Sequence, residues 1–169
     1  MVQTVSVENF VRAESDRMLA AIGSDTDGVN GWKHYRVPSP LDHQNVIRLN
    51  RDTLYSVSVV DAREGFTLTL PETDGRYMSA MVIDQDHYIP VVWHGAGDHS
   101  LTREDAGSDY VLIGIRTLVD PSDPDDVAAV NALQDQLVVR AASSIPFAPA
   151  PVDDASLDET RGALLTLAK

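Results

Sequence analysis

The segment 48–58, Arg-Leu-Asn-Arg-Asp-Thr-Leu-Tyr-Ser-Val-Ser, holds the densest set of chemistry-bearing side chains in the chain. Arg48 or Arg51 can grip a substrate carboxylate while Asp52 or Tyr55 handles a proton; the same arginines can instead clamp a loop through a bidentate pair with Asp52. Apolar Leu49, Leu54, Val57 and Val59 run through the segment, so it enters a core and carries its polar groups to the core's edge. If it is a strand, Asp52, Leu54 and Ser56 share one face and Thr53, Tyr55 and Val57 the other. Its polar groups are then divided, and the segment reads as a scaffold strand that supplies one wall of a site.

A second constellation is Asp84-Gln-Asp-His-Tyr88, followed by His94 and His99. Histidine with carboxylate is the ligand chemistry of zinc, iron or manganese, and His87, His94 and an aspartate have the types for a facial triad. The spacing contains no tight H-x-H pair, so no metal is assigned. Asp84 with His87 also suits an acid–base pair. Ser56, Ser58 and Ser79 fall on apparent strands, and no G-x-S-x-G elbow is present. Neither phosphate-cradling glycine pattern occurs, so no nucleotide or other cofactor is expected.

These residues need a frame. Val7, Phe10, Val11, Glu14, Met18, Leu19 and Ile22 recur at helical spacing behind Ser6, which predicts a helix over residues 6–22 ended by Gly23. Glu14 falls on the apolar stripe, either as a buried, paired carboxylate or at the stripe's edge. Residues 23–45 read as a long structured loop in which Trp32, His34 and Tyr35 cover something. From Val46 to Val119, short β-branched runs separated by turn signals read as strands: 46–49, 53–60, 66–70, 77–83, 89–93 and 110–119. Ser122-Asp-Pro-Asp-Asp opens a helix over about 124–142, and the capping box Ser156-Leu-Asp-Glu159 opens another over 156–168. The expected fold is α+β and mainly β. It is an antiparallel jelly-roll-like sandwich in one domain, 1–169, with the N-terminal helix and two C-terminal helices packed outside.

The chain's 169 residues carry 26 acidic against 13 basic side chains, a formal charge of −13 that repels phosphate backbones and anionic lipid. Nucleic acid and membrane are therefore not expected partners. Cysteine is absent, which removes disulfides, thiolate nucleophiles and sulfur-ligated metals. The first twenty residues lack a signal-peptide pattern and no apolar run spans a bilayer, so a cytoplasmic location is expected.

Several blocks together resemble the bacterial family called domain of unknown function 1254: Asn9-Phe-Val-Arg-Ala-Glu-Ser-Asp16, His43-Gln-Asn-Val-Ile-Arg-Leu-Asn-Arg-Asp-Thr-Leu-Tyr-Ser56, Arg76-Tyr77, Asp84-Gln-Asp-His-Tyr88 and Tyr110-Val-Leu-Ile-Gly-Ile-Arg116. The likeness runs from about residue 6 to the last helix, with Ser15 where a threonine is common. The resemblance implies a β-rich domain, often followed by a second β domain, with unassigned biochemistry. Since the sequence stops at Lys169, the expectation is a member without that second domain. The resemblance also favours one cluster at one end of the sheet: Asp84, His87 and Tyr55 as catalytic groups, with Arg48, Asn50, Asp52, Arg76 and Tyr77 binding ligand. The function expected is binding of a small polar or carbonyl-containing molecule, with acid–base turnover of it. The competing expectation is a non-catalytic module that forms a homodimer or pairs with a separate second-domain partner.

Overall fold

The computed structural model describes residues 2–42 and 50–168. In chain order these form α1 (Phe10–Asp25), β1 (Lys33–His34), β2 (Thr53–Asp61), β3 (Phe66–Leu70), β4 (Met78–Asp84), β5 (Val91–His94), β6 (Gly97–Leu101), α2 (Arg103–Ala106), β7 (Tyr110–Leu118), α3 (Pro124–Gln134), β8 (Val138–Ala141) and α4 (Asp154–Leu167). The strands make two sheets, β1-β2-β7-β4-β5 and β6-β3-β8, and every ladder within them is antiparallel. With four helices, this is a mixed α/β fold built mainly on antiparallel sheet.

Period-two patterning explains where the core sits. Val60 faces Val111 and Val82 faces Ile113 across the five-stranded sheet, and all four join Phe66, Leu68 and Leu70 of β3 in the largest buried cluster. The inward rows of the two sheets therefore share one dry interior.

Helix α1 departs from its predicted stripe. It begins at Phe10, because the Asn9 carboxamide oxygen accepts from the Ser6 amide and holds residues 6–9 in a turn. Val7 and Val11 are exposed, while Ala13, Ser15 and Leu19 are buried. The cause is that α1 has three neighbours in different directions. Leu19 meets Val59 and Tyr110, Ala13 meets Val5 and Leu157 beside α4, and Ser15 meets His87. Gly23 does not end the helix; a Cβ there would lie 3.7 Å from Val59 Cγ2, so α1 packs closely on β2 at this point. Glu14 is paired, accepting from Arg17 and from Arg161 of α4.

The helix expected over 124–142 is two elements. Asp123 caps α3 with its carboxylate, Pro124 occupies the first helical position, and the helix stops at Gln134. The fully buried Gln134 carboxamide donates to the carbonyls of Tyr35 and Tyr55, which anchors the helix end, and Val138–Ala141 pairs with β3. Ladder pairing outweighs helical spacing in that stretch. Strand β6 occupies a stretch with no predicted strand. The cap of α4 is Asp153; Ser156 accepts from the Val5 amide and donates to the Asp153 carbonyl. Helix α3 packs Val130 against Leu54 and Val119, whereas α4 lies on α1. The strand expected at 46–49, with Arg48, lies outside the described residues.

Candidate functional site at the junction of helix α1 and the 84–88 turn

The turn after β4 is built by Asp84. Its Oδ1 accepts from the amides of Asp86 (2.9 Å) and Tyr88 (2.8 Å), its own amide donates to the Tyr88 carbonyl, and its side chain is buried. His87 then adopts φ 66°, a left-handed conformation that a non-glycine residue takes only when its surroundings impose it. Gly107 comes so close that a Cβ there would stand 2.6 Å from Asp84 Oδ2. Asp84 Oδ1 is thus engaged in holding backbone.

Helix α1 meets this turn with three polar side chains. Arg12 makes a two-pronged pair with Asp86, with Nε 2.7 Å from Oδ1. Ser15 Oγ lies 3.2 Å from His87 Nδ1. Asp16 Oδ1 accepts from Gln85 Nε2 at 2.7 Å. Burial holds the Asp16 carboxyl above the usual carboxylate range, opposed by the Gln85 hydrogen bond and by the Arg12 charge. Asp86, bonded to Arg12, is held below that range. Two carboxylates in one turn region are therefore pushed in opposite directions, the arrangement by which neighbouring acids take different roles.

Space adjoins these groups. A hollow of about 350 Å³ lies between α1 and the segment 149–152, and a second of about 270 Å³ adjoins residues 147–150, by Gln85 and Tyr110. Arg12 and Asp16 line both. This stretch is pinned by a buried network. Asp61 Oδ2 accepts from the Ile145 amide and from Arg63, and the Tyr110 hydroxyl donates to the Ile145 carbonyl while Phe147 packs edge-on against its ring.

The other expected site residues sit elsewhere. Tyr77 and Asp84 flank the two ends of β4, roughly 20 Å apart at about 3.3 Å per residue. At the Tyr77 end, Arg76 pairs with Asp126 and donates to the Leu118 carbonyl, which ties the β3–β4 loop to α3. Asn50 bonds Thr53 and the Asp52 amide, and the Asp52 carbonyl accepts from Val119. Tyr55 lies under the Arg116 guanidinium, 5.4 Å from the ring centroid. A hollow of about 300 Å³ opens there beside Arg76, Tyr77 and His94. The expected residues therefore divide into Asp84 with His87 at one end and Asn50, Asp52, Tyr55, Arg76 and Tyr77 at the other. Between Asp84 and the His87 imidazole there is no hydrogen bond.

The three histidines of the second constellation also separate. His94 packs against Tyr77, and His99 stacks on Trp93 with Nε2 3.1 Å from the Gly95 carbonyl. Among the described residues no group of three His, Asp or Glu side chains is placed to hold a metal ion. His34 Nδ1 lies 2.8 Å from Ser56 Oγ, and burial with the Arg36 charge pushes its pKa down. Ser56 is only 1% exposed, which denies this pair an incoming substrate.

Arg12, Ser15 and Asp16 were not among the expected site residues. The signal for them lay in the block Asn9–Asp16, where Arg12 and Asp16, four residues apart, share a helix face beside the expected apolar stripe.

Residues 29–89 match the family model described as Protein of unknown function (DUF1254). The DUF1254 match runs from before β1 through the 84–88 turn and so includes Asp84 and His87, but it leaves out α1 and β7, narrower than the resemblance read from the sequence. No curated protein matches the chain. Among solved structures, the VPA0106 protein from Vibrio parahaemolyticus aligns with TM-score 0.62 and 17% identity over 86% of this chain and 39% of its own. An uncharacterised protein from Burkholderia cenocepacia aligns with TM-score 0.46 and 15% identity over 89% of this chain and 45% of its own. The chain thus spans less than half of either protein, and the likeness to the Vibrio structure is one of fold. No described helix is long and apolar enough to cross a membrane.

Proposed function

We propose that this domain binds a small polar molecule in the hollows between α1, the 84–88 turn and the segment 149–152, with Asp16 as the group that exchanges a proton with it. The observation that carries this reading is that Arg12 and Asp16 line both hollows while burial raises the Asp16 carboxyl, which keeps it closer to the range where a proton can be given or taken. Arg12 Nη1 and Asp16 Oδ2 have no protein partner among the described residues, so a donor and an acceptor are left on two residues that line the same hollows. A hydroxyl- or carbonyl-bearing metabolite satisfies both. Asp84 and His87 enter this reading as the groups that shape the turn and set Gln85 and Asp86 against α1. The chain changes sheets at every step from β2 to β8 except between β4 and β5, which supports a jelly-roll reading of the scaffold.

Thermal-shift screening of polar metabolites against wild type and Asp16→Asn tests it. A compound that stabilises wild type and leaves Asp16→Asn unmoved is the expected result. Stabilisation of both to the same extent overturns the assignment to Asp16.

A second reading, an interaction module without turnover, is favoured by one feature: the outward face of the five-stranded sheet is only partly covered by α1.

A further inference from the structure

Cross-strand partners share a face, so the register defines the outward rows of the five-stranded sheet. Leu19 and Ile22 of α1 cover Val59 and Leu112. Beyond them the described residues leave the face largely open. The next outward row is Lys33, Val57, Gly114, Met81 and Val92, and a Cβ built on Gly114 has nothing within 4 Å. The row after it is Tyr55, Arg116, Ser79 and His94, bordered by Tyr77 and Leu118. Val92 and Leu118 are each 43% exposed and Tyr77 is 49% exposed.

Two properties mark this face. It is apolar with a shallow centre at Gly114, the surface type that associates with another protein surface. It also carries Lys33 and Arg116 and no carboxylate in either row, in a chain with 26 acidic and 13 basic residues. Among the described residues Arg116 makes no ion pair, and its guanidinium lies over the Tyr55 ring. Shortly after Leu118, the chain runs into the segment Asp120-Pro-Ser-Asp-Pro-Asp-Asp126, with four acids in seven residues, of which Asp120, Asp123 and Asp125 are exposed while Asp126 is held by Arg76. A basic apolar face thus has an acidic rim at one border.

We propose that this face docks a second copy of the chain about a two-fold axis, each copy laying its 120–126 segment against Arg116 of the other. A two-fold contact is self-complementary only if a surface carries both halves of the match, and here the face and its rim carry them. The assignment goes beyond the groove at α1, which lies at the Asp84 end of the sheet and is untouched by it. It gives the interaction reading one partner.

Sedimentation velocity of the whole chain over a concentration series tests it. Wild type is expected to dimerise reversibly. Arg116→Glu and Asp125→Lys, both at exposed positions, are each expected to raise the dimer dissociation constant by about tenfold or more, with an equimolar mixture of the two restoring association by the swapped charge pair. Gly114→Lys serves as the independent variant: its side chain meets open space in the monomer but fills the centre of the contact, so dimer is lost at unchanged melting temperature. A chain that remains monomeric throughout the series overturns the proposal, as does a dimer indifferent to Arg116→Glu and Gly114→Lys, or a charge-swapped mixture that fails to associate. Association only with a different, acidic protein also overturns it.

Discussion

Asp16 on α1 and Gln85 in the β4–β5 turn are joined by a 2.7 Å hydrogen bond, in which the Gln85 amide donates to a carboxyl that burial has pushed above its usual range. The bond fixes the position of a group whose ionised form the fold disfavours. The sign of the linkage follows: the native state holds the Asp16 proton more tightly than the unfolded chain does. The resulting stability is complete below the ordinary carboxyl range near 3.8 and is lost as pH rises through the raised native value. Asp16→Asn keeps an oxygen for Gln85 and removes the charge. Its melting temperature at pH 7 should equal or exceed that of wild type, with the advantage vanishing at pH 3. A variant that melts well below wild type at pH 7 would show that the ionised carboxylate stabilises the fold.

Asp84 should behave as a structural acceptor. Asp84→Asn retains an oxygen for the Asp86 and Tyr88 amides, whereas Asp84→Ala leaves two part-buried donors without it, at up to about 1–3 kcal/mol for each group left unsatisfied. Urea denaturation should place Asn near wild type and Ala lower by about 2 kcal/mol or more. Gly107→Ala should fall with it, because φ 80° and a 2.6 Å approach to Asp84 Oδ2 both oppose a side chain. Equal losses in the Asn and Ala variants would mean that the charge, rather than its acceptor role, matters.

Glu14 joins α1 to α4 through Arg161, and its pKa falls from 4.5 to about 2 because Arg17 hydrogen-bonds it, aided by Arg161. A depressed acid contributes stability above its unfolded value, and that contribution is lost as pH falls from 4.5 toward about 2. Hydrogen-exchange protection of α4, taken relative to the unfolded chain at each pH, should therefore fall across that window in wild type. In Glu14→Gln it should already be low at pH 6 and change little. An α4 equally protected in both proteins at pH 6 would remove the bridge from the account.

The division of the expected site predicts independence. Arg76 clamps the β3–β4 loop to α3 at one end of β4, and Asp84 holds the turn at the other, without a shared partner. Stability losses of Arg76→Met and Asp84→Ala should add to within about 0.5 kcal/mol in the double variant. A larger coupling would mean that the two ends are one energetic unit.

The β2, β3 and β7 boundaries were readable because β-branched alternation there coincides with ladders buried on the core side. The β8 segment was not, because Val138–Ala141 continues a helical spacing and only pairing with β3 makes it a strand. For the site, Asp84 and His87 were visible as types in one short block. Their separation from Arg76 and Tyr77 was implicit in the strand expected over 77–83, which puts the two sets at opposite ends; the single cluster came from the family resemblance, which carries no distances. Arg12 and Asp16 were hidden by the stripe itself: Val7 and Val11 suggested the wrong inward face, and only the three-way packing of α1 rotates it toward the turn.

Nitrogen-15 NMR titration of the chain with a stabilising metabolite tests the central claim most directly. The account predicts amide shifts at Arg12, Ala13, Asp16, Gln85 and Val152 that disappear in Asp16→Asn. Shifts confined to Arg76, Tyr77 and His94, or shifts around α1 that persist unchanged in Asp16→Asn, would contradict it.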